Sequence, residues 1–239
     1  MRRLALAHVL LIVLLAAATS ATVAHAQDPL KAYPNNYSLL FDNAQVRVLR
    51  CHYGPHEHVG VHNHSDYPTV YVYISDAGPV RFSHIEEKAF VMTRPPVKAG
   101  SFRVSPGRPE RHTVENLSDL PSDYLRIELK QIPLHGTLSP KRGEAPASLD
   151  LSGTTSVFSD PELAIARVVC LPGATCQLAS SASPSLLVSL SPEKLSGSLQ
   201  QEMKPGAVAW LPASNTAALD ASGSVPAHLL RLQLLRTAK

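Results

Sequence analysis

Histidine is the residue type that stands out for its chemistry. His52, His56, His58, His62 and His64 crowd into one short stretch, and His112 follows much later. Val61-His-Asn-His64 is the informative pair. On a strand, residues two apart point to the same side, so both imidazoles would face one way. Two imidazoles on one face, joined by a third from another strand, can hold a transition ion, because imidazole nitrogen suits Zn, Cu, Fe and Ni. His56-Glu-His58 follows Gly54-Pro55 and reads as an exposed turn. No Gly-rich phosphate loop, nucleophile elbow or Cys-x-x-Cys pair is present.

Strands must supply the positioning. The chain has 239 residues with 20 Pro and 12 Gly, and no long helical period. Such punctuation predicts many short strands. Thr69-Val-Tyr-Val-Tyr-Ile74 is almost wholly β-branched or aromatic, and Asp76-Ala-Gly-Pro79 ends it with turn residues. Val46–Cys51 and Tyr124–Leu129 alternate polar and apolar residues with period two. An antiparallel barrel or jelly roll is the expected class.

A repeat sets the organisation. Phe41-Asp-Asn-Ala-Gln-Val-Arg-Val-Leu-Arg50 matches Phe158-Ser-Asp-Pro-Glu-Leu-Ala-Ile-Ala-Arg167, and Pro55 matches Pro172. Lys98-Ala-Gly100 and Lys204-Pro-Gly206 each precede a Pro six residues after the Gly. Two units of short strands are expected, at 27–132 and 157–239, joined by a Pro/Gly/Ser-rich connection over 133–156. Units of this size build a core only marginally alone, so they are expected to pack face to face. Laying Pro55 on Pro172 carries His62 to Ala179 and His64 to Ser181. A unit that folds without imidazoles shows that packing does not demand them in the other.

With those residues in view, the chain resembles the cupin superfamily. Val61-His-Asn-His64 is similar to the paired histidines of the first cupin motif, G-x5-H-x-H-x3,4-E-x6-G. Gly100-x5-Pro106 through His112-x3-Asn116 resembles the second, G-x5-P-x-G-x2-H-x3-N. The chain departs from these patterns in three ways. Gly54 lies two residues too far ahead of His62, the stretch from Pro106 to His112 is one residue longer, and Pro68 or Thr69 stands where the family has its glutamate. The resemblance implies an all-β fold of two tandem cupin-type jelly-roll barrels. It implies a divalent transition metal (Fe, Zn, Mn, Ni or Cu) on His62, His64 and His112 in the first barrel, with a degenerate second barrel lacking ligands. Three neutral histidines leave more positive charge on an ion than a set with a carboxylate, and leave coordination positions open. Asp66 could replace the missing glutamate if its loop turned inward. Tyr71 and Tyr73 could line the pocket or simply fill it. Cupins include dioxygenases, isomerases and decarboxylases. The implied function is metal-dependent oxidation or isomerisation of a small molecule, with a non-catalytic small-ligand-binding bicupin as the alternative.

The ends and cysteines bear on location. Arg2-Arg3, the apolar run Leu10–Ala18 and Ala24-His-Ala26 read as a signal peptide over 1–26, cut before Gln27. A retained anchor is the other reading, but the run is short for a bilayer. The chain is then expected to be periplasmic or secreted, with no membrane partner after cleavage. Formal charge is +3, and losing Arg2 and Arg3 leaves +1, too near neutral for an electrostatic nucleic-acid binder. An exposed sheet edge would suit pairing into a homodimer. An oxidising compartment would allow Cys170 and Cys176 to bridge across Leu-Pro-Gly-Ala-Thr, leaving Cys51 over. All three could equally be small buried hydrophobes.

Overall fold

A computed structural model describes residues 28–221 and 223–235. The proposed signal peptide and its cleavage site lie outside the described residues. No described helix is long and apolar enough to cross a membrane.

The architecture is all-β and two-lobed. A four-residue helix, α1 (Pro29–Ala32), precedes the first lobe and is capped by the Asp28 carboxylate, which accepts from Leu30 N–H. The first lobe runs through β1 (Tyr37–Asp42), β2 (Val46–Tyr53), β3 (His58–His64), β4 (Thr69–Tyr73) and β5 (Val80–His84), then β6 (Phe90–Arg94), β7 (Phe102–Ser105), β8 (Glu110–Asn116), β9 (Ser122–Leu129) and β10 (Lys141–Gly143). The second lobe holds β11 (Gly153–Ser159), β12 (Leu163–Cys170), β13 (Thr175–Leu178), β14 (Ser185–Ser189) and β15 (Glu193–Gly197), then β16 (Gln201–Met203), β17 (Val208–Leu211), β18 (Ala217–Asp220) and β19 (Ala227–Leu234).

Each lobe is a pair of antiparallel sheets. In the first, β1-β2-β9-β4-β7-β10 faces β3-β8-β5-β6. In the second, β11-β12-β19-β14-β17 faces β13-β18-β15-β16. Residues 133–156 contain β10, which pairs with β7 in the first lobe, and the first residues of β11.

The repeat is written into the backbone. A register shift falls just before Phe41 in the first lobe, and the same shift falls just before Phe158 in the second. Phe41 pairs with Val48 and Phe158 with Ile165, seven residues on in both. Gly100 and Gly206 adopt φ of 82° and 83°, a conformation glycine enters without a Cβ clash. Each donates its N–H across the turn, to Tyr73 O and Ser189 O.

The large sheets pack back to back. Val70, Val72, Leu125 and Ile127 from the first lobe share one buried cluster with Leu163, Ile165, Leu230 and Leu232 from the second. This explains β4, whose five residues are all buried. Val70 and Val72 face the other lobe, while Tyr71 and Tyr73 face their own interior. Strands covered on both faces read as continuous apolar runs rather than alternations. The lobes differ inside. Leu187, Leu195, Met203 and Leu219 fill the second. The first contains tyrosines, arginines and histidines.

Candidate metal centre

The three histidines singled out by spacing come together. His62 and His64 extend from β3 with like orientation, and His112 sits directly opposite His62 on β8. Their candidate ligand nitrogens all lie within 4.8 Å of one another. Ring centroids are 4.7 Å apart for His62–His112, 4.9 Å for His62–His64 and 5.2 Å for His64–His112. His62 and His112 are buried, and His64 is partly so.

Their hydrogen bonding is incomplete in an informative way. Neither nitrogen of the buried His112 ring has a partner, and His64 Nδ1 has none. Each such orphan costs about 1–3 kcal/mol if nothing meets it. Burial is the largest influence on all three rings and favours their neutral form. His64 lies well below its usual range through burial and then the Arg126 guanidinium. His112 does so through burial and then neighbouring His62, and His62 is lowered by burial. Neutral imidazole is the form that ligates a metal. Orphaned nitrogens on neutral, convergent rings therefore fit a divalent transition ion.

His62 is held in one tautomer. Its Nδ1 lies 2.8 Å from Gly60 O, which can only accept, so Nδ1 carries the proton. Nε2 then presents a lone pair, and the Tyr37 hydroxyl donates to it at 2.8 Å. Tyr37 oxygen is left to accept from Tyr53 O–H at 2.8 Å, and Tyr53 from Tyr124 O–H at 2.7 Å. A directed line of three buried hydroxyls thus ends on the lone pair an ion would use. Gly60 leaves room here for Tyr33: a Cβ would stand 2.3 Å from the Tyr33 hydroxyl and would shift that side chain, whose ring packs beside His62.

Several groups beside the centre were not singled out from the sequence, although the spacing of Glu110 from His112 offered a signal. Glu110 lies two residues before His112 on the same face of β8, in register with His64. Burial alone would raise its carboxyl pKa, but Arg126 pulls it down to about 2. Arg126 Nη1 donates to Glu110 Oε2 at 2.6 Å and to the Tyr71 hydroxyl at 2.8 Å, while its Nε donates to Glu128 Oε1 at 3.0 Å. A carboxylate therefore does approach the centre, but it lies outside the convergent trio and is clamped by a guanidinium. His84, isolated in sequence, sits across from His112 in the ladder with ring centroids 5.0 Å apart. Arg108 Nη2 donates to its Nε2 at 3.2 Å, so its Nδ1 carries the proton donated to Glu86 at 3.0 Å. Both nitrogens are spent, which separates His84 from the trio. Asp66 is exposed and outside the cluster, and His56 is exposed on its turn beside Asp119.

A cavity adjoins the rings. His64 and His112 line it together with Tyr71, Tyr73, Phe82 and Arg103, and it is narrow, with room for little more than water beside the rings as they stand. In the second lobe, Cys170 and Cys176 are bonded to each other, and Cys51 is a buried free thiol.

No protein-family model and no curated protein matches the chain. Solved structures do match. AerE from Microcystis aeruginosa superposes with a TM-score of 0.59 at 10% identity, over 84% of this chain and 98% of that one. YhaK from Escherichia coli gives 0.56 at 13% identity, over 83% and 91%. A mutant of oxalate decarboxylase OxdC from Bacillus subtilis gives 0.53 at 12% identity, over 80% and 69%. At such identities the likeness concerns the fold alone, a two-lobed architecture of paired antiparallel sheets.

Proposed function

We propose that the chain is a bicupin that binds one divalent transition ion through His62, His64 and His112, and that it acts as a metal-dependent oxidoreductase or isomerase on a small molecule in the adjoining cavity. The observation that carries this is the convergence of three imidazoles, with both nitrogens of His112 and Nδ1 of His64 buried without partners. Bound there, an ion would supply Lewis acidity and open coordination positions. The chain's own residues do the rest. Burial favours the neutral imidazoles, and the Gly60 carbonyl fixes the His62 tautomer. Arg126 holds Glu110 ionised and in place. Tyr71, Tyr73 and Phe82 wall the cavity, limiting water beside the rings.

The units proposed are 27–132 around the metal, 133–156 as connection and 157–239 as the ligand-free second barrel. The aliphatic interior of the second lobe supports that contrast. Export with removal of residues 1–26 is likewise proposed, and the Cys170–Cys176 bond supports an oxidising compartment. Mass measurement of the exported chain tests the cleavage before Gln27.

One observation favours the non-catalytic alternative. Glu110, the carboxylate lining the cavity, is committed to Arg126, so no free general base stands beside the trio among the described residues. Oxygen uptake and isomerisation assays on metal-loaded protein separate the two. Turnover lost in the His62/His64/His112→Ala variant supports the enzyme. A metal-loaded protein inert across the panel supports the binding module.

A further inference from the structure

Two arginines at the cavity have more hydrogen-bonding capacity than the protein uses. Arg94, at the end of β6, is buried. Its Nη2 donates to Gly78 O at 3.0 Å and to Ser122 Oγ at 3.1 Å, but its Nε and Nη1 have no partner. Arg103, on β7, stacks over the Tyr71 ring at 4.3 Å, and its Nε also has no partner. Neither meets a carboxylate within ion-pair distance among the described residues. Arg126 differs, because Glu110 and Glu128 compensate it.

Arg94 and Arg103 also occupy a junction. Both line the cavity that touches His64 and His112, and both line a second that opens past Lys98 and Arg142. Tyr73 and Met92 are common to the two as well. The two guanidiniums therefore stand in the wall common to both cavities. The walls beyond are aromatic and apolar, through Phe82, Met92 and the tyrosines.

Buried guanidinium N–H groups without acceptors call for an anion, and the planar fork matches a carboxylate. We infer that the cavity takes a small organic carboxylate, its acid group held by Arg94 and Arg103 and its body directed along the aromatic wall towards His64 and His112. This rests on the functional reading above for what lies at the histidine end, but the guanidinium subsite is present without an ion.

The test is calorimetric titration of metal-free and metal-loaded protein with acetate, malonate and benzoate, each beside its neutral amide. At least one acid should bind saturably, and its amide should bind at least about tenfold more weakly, since hydrogen bonds to charged groups carry that much. Arg103→Gln should weaken the acid by about ten- to a hundredfold. Arg103→Lys, which keeps the charge and loses the fork, should recover only part. Arg103 is partly exposed and outside the buried clusters, so both variants should fold, and circular dichroism checks this. Equal binding of acid and amide, an unchanged affinity in Arg103→Gln, or no saturable binding by any acid would overturn the inference. Metal content of the same samples separates the two claims. Carboxylate binding retained by protein that cannot hold an ion would remove the metal reading alone.

Discussion

Replacing Arg126 by leucine tests how the interior of the first lobe tolerates charge. Arg126 is 3% exposed, and its partners Glu110 and Glu128 are 8% and 1% exposed. The substitution leaves both carboxylates buried without the guanidinium. It also strips the Tyr71 hydroxyl of its 2.8 Å donor. Removing one member of a buried ion pair costs about 3–5 kcal/mol, chiefly because the remaining charge stays unsolvated. Two carboxylates lose their closest partner at once, while Arg108 at 3.6 Å from Glu110 and Arg47 at 3.7 Å from Glu128 offset part of the cost, which keeps this case inside that range. A domain of ordinary stability has only about 5–15 kcal/mol in total. Arg126→Leu should therefore unfold at much lower urea than wild type, or fail to accumulate. Adding Glu110→Gln and Glu128→Gln removes the buried charges and should restore part of the loss. Urea unfolding followed by circular dichroism reads both. A single variant within about 1 kcal/mol of wild type, or a triple no more stable than the single, would refute the reasoning.

Other expectations follow from the same contacts. Tyr37→Phe removes the hydroxyl that competes with an ion for the His62 lone pair. Losing a hydrogen bond worth about 1 kcal/mol should tighten metal binding about fivefold by competition titration. Weaker binding would show that the Tyr37 oxygen itself contributes to the ion. In the second lobe, burial pushes the Glu193 carboxyl up to about 8, with bonds from His228 N–H and the Ser191 hydroxyl only partly offsetting it. The folded state therefore binds the proton more tightly than the unfolded chain. That stability is fully present below the ordinary carboxyl range and is lost as pH rises through about 8. Glu193→Gln should flatten this decline, which is on the order of a few kcal/mol, in urea midpoints compared between acid and alkaline buffer. Ile127→Ala, in the cluster shared by both lobes, should cost about 2–5 kcal/mol while unfolding stays a single transition. Two transitions, with the second lobe unmoved, would show that the lobes do not share a cooperative core.

Strand period made His62 and His64 legible, because two residues on one strand must share a face whatever surrounds them. The repeat was legible for a similar reason. The bulge before Phe41 and Phe158 and the turns at Gly100 and Gly206 impose the same residue types on both copies. Tyr124–Leu129 shows where such reasoning stops. Its alternation suggests an apolar face on the core and a polar face in water. The apolar residues instead meet the other lobe, which turns Arg126 and Glu128 inward beside the histidines. Local pattern gives the two faces of a strand but not what covers each. His84 was hidden because the ladder, not sequence proximity, brings it to His112, whereas Glu110, two residues before His112, was within reach of the same strand-period argument. The strand Lys141–Gly143 was hidden by flanking Pro and Gly residues that resemble a plain connection.

Metal stoichiometry addresses the central claim most directly. Equilibrium dialysis of the purified chain against a divalent transition ion, with elemental analysis, should give one bound ion per chain. It should give none in the His62/His64/His112→Ala variant, with the fold intact by circular dichroism. An unaltered stoichiometry in that variant, or no ion retained by wild type, would contradict the account.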